Sequence, residues 1–164
     1  METLIALTLA SVVVAAPAGP VPQSGLISQY APGVMDRVIE NRLAWGQLNP
    51  HDVEIADGFV ARPECRDIGS WVYIRPKGGD RWLRMLVTDC GCPIGRAWMY
   101  DNNVLVEVDY ETASTFGFAG KMWRGWMLTE DEYTQLFGGE EWTLASQQEV
   151  SMTPSSQTLE TSLR

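Results

Sequence analysis

Two segments, LVTDCG at residues 86–91 and VLVEVDYETASTFGF at residues 104–118, decide the fold of this chain. In each, a run of aliphatic residues typical of a β-strand ends at an acidic residue, Asp89 in the first and Asp109 in the second. The second strand leads into a short helix that Gly117 is placed to end. If the two strands are neighbours in one sheet, we expect Asp89 and Asp109 to reach a common surface.

The rest of the central region is also mainly β. Strands rich in Val, Ile, Tyr, Trp and Leu are predicted at residues 57–61, 71–75, 82–88 and 103–108. Gly78 and Gly79 favour a tight hairpin turn between the second and third of these strands. Capping residues and apolar spacing predict helices at residues 33–44, 110–116 and 129–137. The predicted fold class is mainly β with a few short helices.

These motifs resemble the rare lipoprotein A-like double-psi β-barrel family, which is related to barwin, expansin and lytic transglycosylase barrels. The family's (V/I)-(T/N)-D-x-G segment is matched at residues 87–91, and its Asp-containing segment ending in (L/F)-G is matched at residues 108–117. An opening Tyr-Gly pair is similar to Tyr30 and Gly33. The resemblance implies a closed, six-stranded double-psi barrel with a shallow groove across one face.

The resemblance also implies a chemistry for Asp89. The family's Asp at this position acts as an acid toward a glycosidic oxygen in its catalytic members. A single acid suffices for a lytic transglycosylase, whereas a hydrolase normally needs a second carboxylate, for which Asp109 is the candidate. Asp89 could instead accept amide hydrogen bonds within its loop, and Asp109 could be a helix N-cap. The stretch ARPECRDIG at residues 61–69 lacks the histidine that catalytic family members carry, which counts against cleavage.

Three aromatic residues are predicted to bind substrate. Tyr30 opens the domain, and Trp98 and Tyr100 lie in what we expect to be a loop between the two Asp motifs. Aromatic rings stack on the apolar faces of sugars, so these side chains suit a groove that binds polysaccharide.

Chain length, net charge and residue spacing limit the domains, partners and cofactors that we expect. The 164 residues suffice for one domain, which we place at residues 26–145 and expect to be monomeric. A net charge of −9 disfavours nucleic acid as a partner. No cofactor or metal is predicted, because His51 lies in a polar turn and Cys90-x-Cys92 lacks the spacing of zinc sites.

The two ends of the chain have compositions of their own. Residues 1–18 resemble a signal peptide, residues 19–25 form a Pro- and Gly-rich linker, and residues 146–164 form a polar tail that we expect to be disordered. The apolar run is too short for a comfortable membrane span, so no span is expected after processing. We therefore predict a secreted protein, extracellular or associated with the cell wall.

Three cysteines leave one over if two form a bridge. We expect a disulfide between Cys65 and Cys90, with Cys92 unpaired, and the competing interpretation is a metal-binding or redox pair of Cys90 and Cys92.

Three functional hypotheses follow. The first is a secreted domain that binds or remodels cell-wall polysaccharide or peptidoglycan, lytic transglycosylase-like if it is an enzyme. The second is a non-catalytic barrel module that binds polysaccharide or protein. The third is a secreted structural or inhibitor-like domain with no glycan partner.

Overall fold

A computed structural model describes residues 19–138, which form a closed, mixed β-barrel. The predicted signal peptide, the predicted tail and the last residues of the predicted domain lie outside the described residues. No helix in the described range is both long and apolar enough to cross a bilayer.

Six strands form the barrel in this range. They are β1 (Gln23–Gln29), β2 (Gly58–Arg62), β3 (Trp71–Pro76), β4 (Leu83–Cys90), β5 (Val104–Val108) and β6 (Trp123–Thr129). Their order around the barrel is β1-β5-β2-β4-β3-β6, and β6 pairs with β1 to close it. The β1–β5 and β2–β4 pairs are parallel, and the others are antiparallel.

The four predicted strands correspond to β2, β3, β4 and β5, and the predicted hairpin joins β3 to β4. Gly78 in its turn has φ of 90°, which favours glycine. Strands β1 and β6 were not predicted, and β1 begins at Gln23, inside the predicted linker. The two strands each contain a glycine, Gly25 and Gly125, which weakens their β signal. A Cβ at either position would meet another atom at 2.6 Å, so close packing requires the glycines.

Five helices accompany the barrel within residues 19–138. They are α1 (Val34–Ala44), α2 (Pro50–Ile55), α3 (Pro93–Asp101), α4 (Tyr110–Thr115) and α5 (Glu130–Phe137). The predicted helices correspond to α1, α4 and α5, and Thr129 and Glu132 form a capping box at the start of α5. Helices α2 and α3 replace predicted loops, and each begins with a proline, a residue suited to a first helical turn.

The core has an inner and an outer part. Inside the barrel, alternate residues of the strands are fully buried, among them Ile27, Val60, Val87, Val106 and Met127. Outside it, apolar residues of α1 and α2 pack with side chains on the outer face of β2, β3 and β4. One outer side of the barrel is therefore covered by helices, which places the charged residues of α1 against the end of β4.

The predicted disulfide between Cys65 and Cys90 is present. It joins a short 3-10 turn, Cys65–Asp67, to the last residue of β4. Cys92 is free and exposed, and its Sγ accepts a hydrogen bond from the backbone N–H of Gly95 at 3.4 Å. The thiol thus caps α3.

Removing the disulfide should destabilise the barrel. We expect the Cys65→Ser, Cys90→Ser double variant to lose about 2–4 kcal/mol of unfolding free energy, because its unfolded chain regains the freedom of a long loop. The control is Cys92→Ser, whose hydroxyl can still cap α3. Denaturant unfolding measures both variants, and finding three free thiols in the unreduced parent by mass spectrometry would contradict the bridge.

Candidate functional site

Four residues lie in one row across four neighbouring strands. The row runs Ser28 on β1, Glu107 on β5, Ala61 on β2 and Asp89 on β4, with each residue registered opposite the next. The neighbours of Ser28, Glu107 and Ala61 along their strands, among them Ile27, Val60 and Val106, fill the barrel interior, so these three residues face outward. Because alanine is small, little side-chain volume separates the two carboxylates.

A β-bulge turns Asp89 outward. Val60 pairs with Val87 while Ala61 pairs with Asp89, so Thr88 is an extra residue in β4. Thr88 is fully buried, and its hydroxyl donates to Sδ of Met35 in α1 at 3.1 Å. Without the extra residue, the period-two alternation would direct position 89 into the barrel.

Two side chains hold the Asp89 carboxylate in place. Nη2 of Arg42 donates to Oδ1 at 2.9 Å, and the Tyr30 hydroxyl donates to Oδ2 at 3.0 Å. Arg42 lies on α1, whereas Tyr30 follows β1 and is fixed by its own N–H, which donates to the Val108 carbonyl at 2.9 Å. The Asp89 side chain retains 18% exposure, so it is restrained but reaches solvent.

Glu107 has a different environment. Burial raises the pKa of Glu107 above its ordinary value, a hydrogen bond from the Ser28 hydroxyl at 3.2 Å opposes this, and the charge of Asp89 raises it further. Burial and the neighbouring Asp89 also raise the pKa of Tyr30, so its hydroxyl stays protonated and continues to donate. The site thus combines a half-buried carboxyl group with a raised pKa and a second carboxyl group paired to a guanidinium.

Asp109 serves the fold. It is only 3% exposed, and its two oxygens accept the backbone N–H groups of Thr112 at 2.7 Å and Phe59 at 2.8 Å. It therefore caps α4, the structural role considered above, and links β5 to β2. The expectation that the two motif strands are neighbours is wrong, because β2 lies between β4 and β5. The carboxylate that shares the outward row with Asp89 is Glu107.

Two of the three predicted aromatic residues, Trp98 and Tyr100, lie on α3 rather than in a loop. Trp98 is 41% exposed and Tyr100 is 58% exposed. Tyr100 donates a hydrogen bond to Glu64 and lines a pocket of about 170 Å³ together with Arg62. Arg62 follows Ala61 on β2, so this pocket begins one residue beyond the row that holds the carboxylates.

Sequence reasoning brought Tyr30 and Asp89 together but missed Glu107, Ser28 and Arg42. A signal for Glu107 was present, since it is a charged residue between two apolar ones in VEV and so is predicted to face outward. Arg42 had no such signal, because its contact depends on how α1 packs against the barrel.

No protein-family model, curated protein or solved structure matches this chain. The closed six-stranded barrel is compatible with the fold that the motifs imply. Within residues 19–138, no cluster of three or more His, Cys, Asp or Glu side chains could hold a metal ion.

The capping role of Asp109 predicts a loss of stability on truncation. Asp109→Ala removes the acceptor for two backbone amides, so we expect a loss of about 2–4 kcal/mol of unfolding free energy. The control is Asp101→Ala, at an exposed position near the end of α3, with an expected change within about 0.5 kcal/mol. Denaturant unfolding measures the free energy of unfolding of both variants, and equal stability of Asp109→Ala and the parent would contradict the capping role of Asp109.

The environment of Glu107 predicts a pH-dependent stability difference. A raised pKa in the folded state favours the protonated carboxyl, so stability is lost as pH rises through that pKa. Glu107→Gln cannot ionise and should avoid this loss. We expect the variant to gain stability over the parent as pH rises above 4.5, the ordinary pKa of this side chain, and the gain to level off at higher pH. Thermal unfolding across pH measures it, and a gain that does not change with pH would refute the assignment.

Proposed function

We propose that this chain is a secreted, rare lipoprotein A-like double-psi barrel domain that binds and remodels cell-wall glycan, with Asp89 and Glu107 as its reacting carboxyl groups. The observation that carries the proposal is the outward row in which the two carboxyl groups share one surface but differ in environment. Such pairs allow one group to give a proton while the other carries charge.

Glu107 fits the general acid. Burial raises its pKa, the direction that suits a group donating a proton to the glycosidic oxygen of a leaving sugar. Asp89, oriented by Arg42 and Tyr30, then stabilises the positive charge that develops on the sugar or activates a water molecule. Two strand spacings separate the Cα atoms of the pair by about 10 Å. Inverting glycosidases place a water molecule between their acid and their base, and this is the water-mediated form of the reaction proposed here.

A lytic reaction is the second form of the same activity. There Asp89 is the acid, as the resemblance implies, and a hydroxyl group of the sugar attacks its own anomeric carbon. The bond to the leaving sugar breaks, the acid's proton goes to the leaving oxygen, and the product ends in an internal anhydro ring once the attacking hydroxyl gives its own proton to the carboxylate left on Asp89. A hydrolase leaves a reducing end instead, so the product identifies the reaction.

Other features support a wall glycan as the substrate class. The exposed rings of Trp98 and Tyr100 on α3 suit stacking on sugars. The Cys65–Cys90 disulfide fits an oxidising compartment and therefore secretion. The net charge of −9 disfavours nucleic acid.

A non-catalytic module is the alternative, and one contact favours it. The ion pair between Arg42 and Asp89 leaves each side chain less than a fifth exposed and ties α1 to the end of β4. If that tie is the function of Asp89, the barrel binds polysaccharide or protein without cleaving it.

A turnover assay tests the proposal. Purified protein is incubated with insoluble peptidoglycan and, separately, with cellulose and chitin, and the soluble products are identified by mass spectrometry. We expect Asp89→Asn and Glu107→Gln each to lower the rate about 100-fold or more, because each removes an acid–base group. Asp101→Asn is the control, and circular dichroism confirms that every variant is folded.

Two outcomes contradict catalysis at this site. One is a parent rate that both variants match. The other is retention of the parent on insoluble glycan with no soluble product, which supports the binding module, and Trp98→Ala should then weaken retention.

A further inference from the structure

We propose that the outer face of β3 and β6 holds a second binding site, which takes a sugar unit bearing a carboxylate. In the circular strand order, β3 and β6 lie opposite the β5–β2 pair that carries Glu107 and Ala61. The proposal therefore concerns a different side of the barrel and does not depend on chemistry at Asp89.

A tryptophan, Trp126, lies on this face beside the buried cluster of Tyr73, Trp82 and Leu128, and Arg75 stacks on the rings of both Trp82 and Trp126. Trp126 points away from the barrel interior, since it lies between Gly125, whose Cβ position faces Ile27, and the core residue Met127. Across β3, the guanidinium carbon of Arg75 lies 5.2 Å from the Trp126 ring centroid. Across β1, the registered partner is Ser24, which is too small to cover an indole.

A pocket adjoins the tryptophan on the side of Ser24. Its volume is about 240 Å³, which suits a single sugar unit better than a long chain. Lys77, Arg124 and Trp126 line it together with Ser24 and two glycines. The backbone fixes the relative positions of the cations, because the Lys77 N–H donates to the Arg124 carbonyl at 2.8 Å.

The charge of this face is opposite to that of the protein. Lys77 and Arg124 are exposed, and Arg75 lies beside them on β3. Within residues 19–138, no carboxylate lies within 4.0 Å of any of these three cations, although six other arginines there form ion pairs. In a chain of net charge −9, cations left unpaired around an aromatic ring favour an anion with an apolar face.

A carboxylate-bearing sugar has both properties. Its ring can lie on the indole, whose N–H and apolar body suit sugars, while its carboxylate meets Lys77 and Arg124. A uronic acid and the lactyl ether acid of an amino sugar share this chemistry. A neutral sugar would use the ring alone, and a small inorganic anion would use the cations alone.

The test measures binding of full-length protein to trigalacturonate and to N-acetylmuramic acid by NMR titration and calorimetry. Fully methyl-esterified trigalacturonate is the uncharged control with the same sugar rings, and inorganic phosphate is the control anion that has no sugar ring. We expect binding of at least one acid sugar, weakening with added salt, and binding of the ester and phosphate that is at least about tenfold weaker.

Variants locate the site. Lys77→Ala with Arg124→Ala, and separately Trp126→Ala, should each weaken binding about tenfold or more. Arg66→Ala, on an arginine side chain that is 84% exposed elsewhere, should leave it unchanged. Asp101→Asn should also leave it unchanged, because Asp101 lies on α3 and lines neither this pocket nor the outward row.

Three results would overturn the proposal. They are no binding of either acid sugar, binding that survives in the Lys77 and Arg124 double variant, and binding of phosphate as tight as that of the acid sugars with no effect of Trp126→Ala. A circular dichroism spectrum matching that of the parent is required of each variant. For a variant that does not fold, Lys77→Gln with Arg124→Gln and Trp126→Phe replace the alanine changes.

Discussion

The pairing of β1 with both β5 and β6 is the constraint on which the structure depends. It closes the barrel, so that no strand within residues 19–138 is left as an open edge. It also places Ser28 beside Glu107 and leads the chain to Tyr30, whose hydroxyl reaches Asp89. The closure therefore assembles the candidate site as well as the fold, and Gly25 permits it where a side chain would strike the Asn103 carbonyl.

The strand order has an internal symmetry that explains where the site lies. Exchanging β1, β2 and β3 with β4, β5 and β6 leaves every neighbour relation unchanged, including the two parallel pairs. A register shift interrupts each parallel pair, after Leu26 in one and after Val60 in the other. The symmetry makes the end of β1 equivalent to the end of β4. Tyr30 follows β1 and Asp89 lies near the end of β4, and their side chains make contact beside the β5–β2 pair. The repeated strand arrangement therefore brings Tyr30 and Asp89 together, although they are 59 positions apart in sequence.

The sequence predicted what depends on local patterns and missed what depends on neighbours. Alternation and turn residues were enough for β2 to β5, and capping residues were enough for α4 and α5. Strand β1 has a glycine and several polar residues, and it is a strand because β5 and β6 supply its hydrogen bonds on both sides. Likewise, Asp89 lies in a recognisable motif. Its partner Arg42 lies on α1, and no sequence motif indicates how α1 packs against the barrel. Asp109 lies in an equally clear motif, but its side chain is the N-cap of α4.

The contact between Arg42 and Asp89 joins stability and function in this site. If Asp89 only anchored α1, a neutral asparagine would keep one hydrogen bond, and the site would lose mainly the charge attraction. Glu107 makes that explanation incomplete, because a second carboxyl, whose pKa is raised by burial above all and less by the charge of Asp89, adds nothing to the anchoring of α1. Like charges on one surface oppose folding unless one of them takes up a proton. The outward row contains both carboxyl groups with only an alanine between them, and this arrangement is the reason for the acid–base chemistry proposed above.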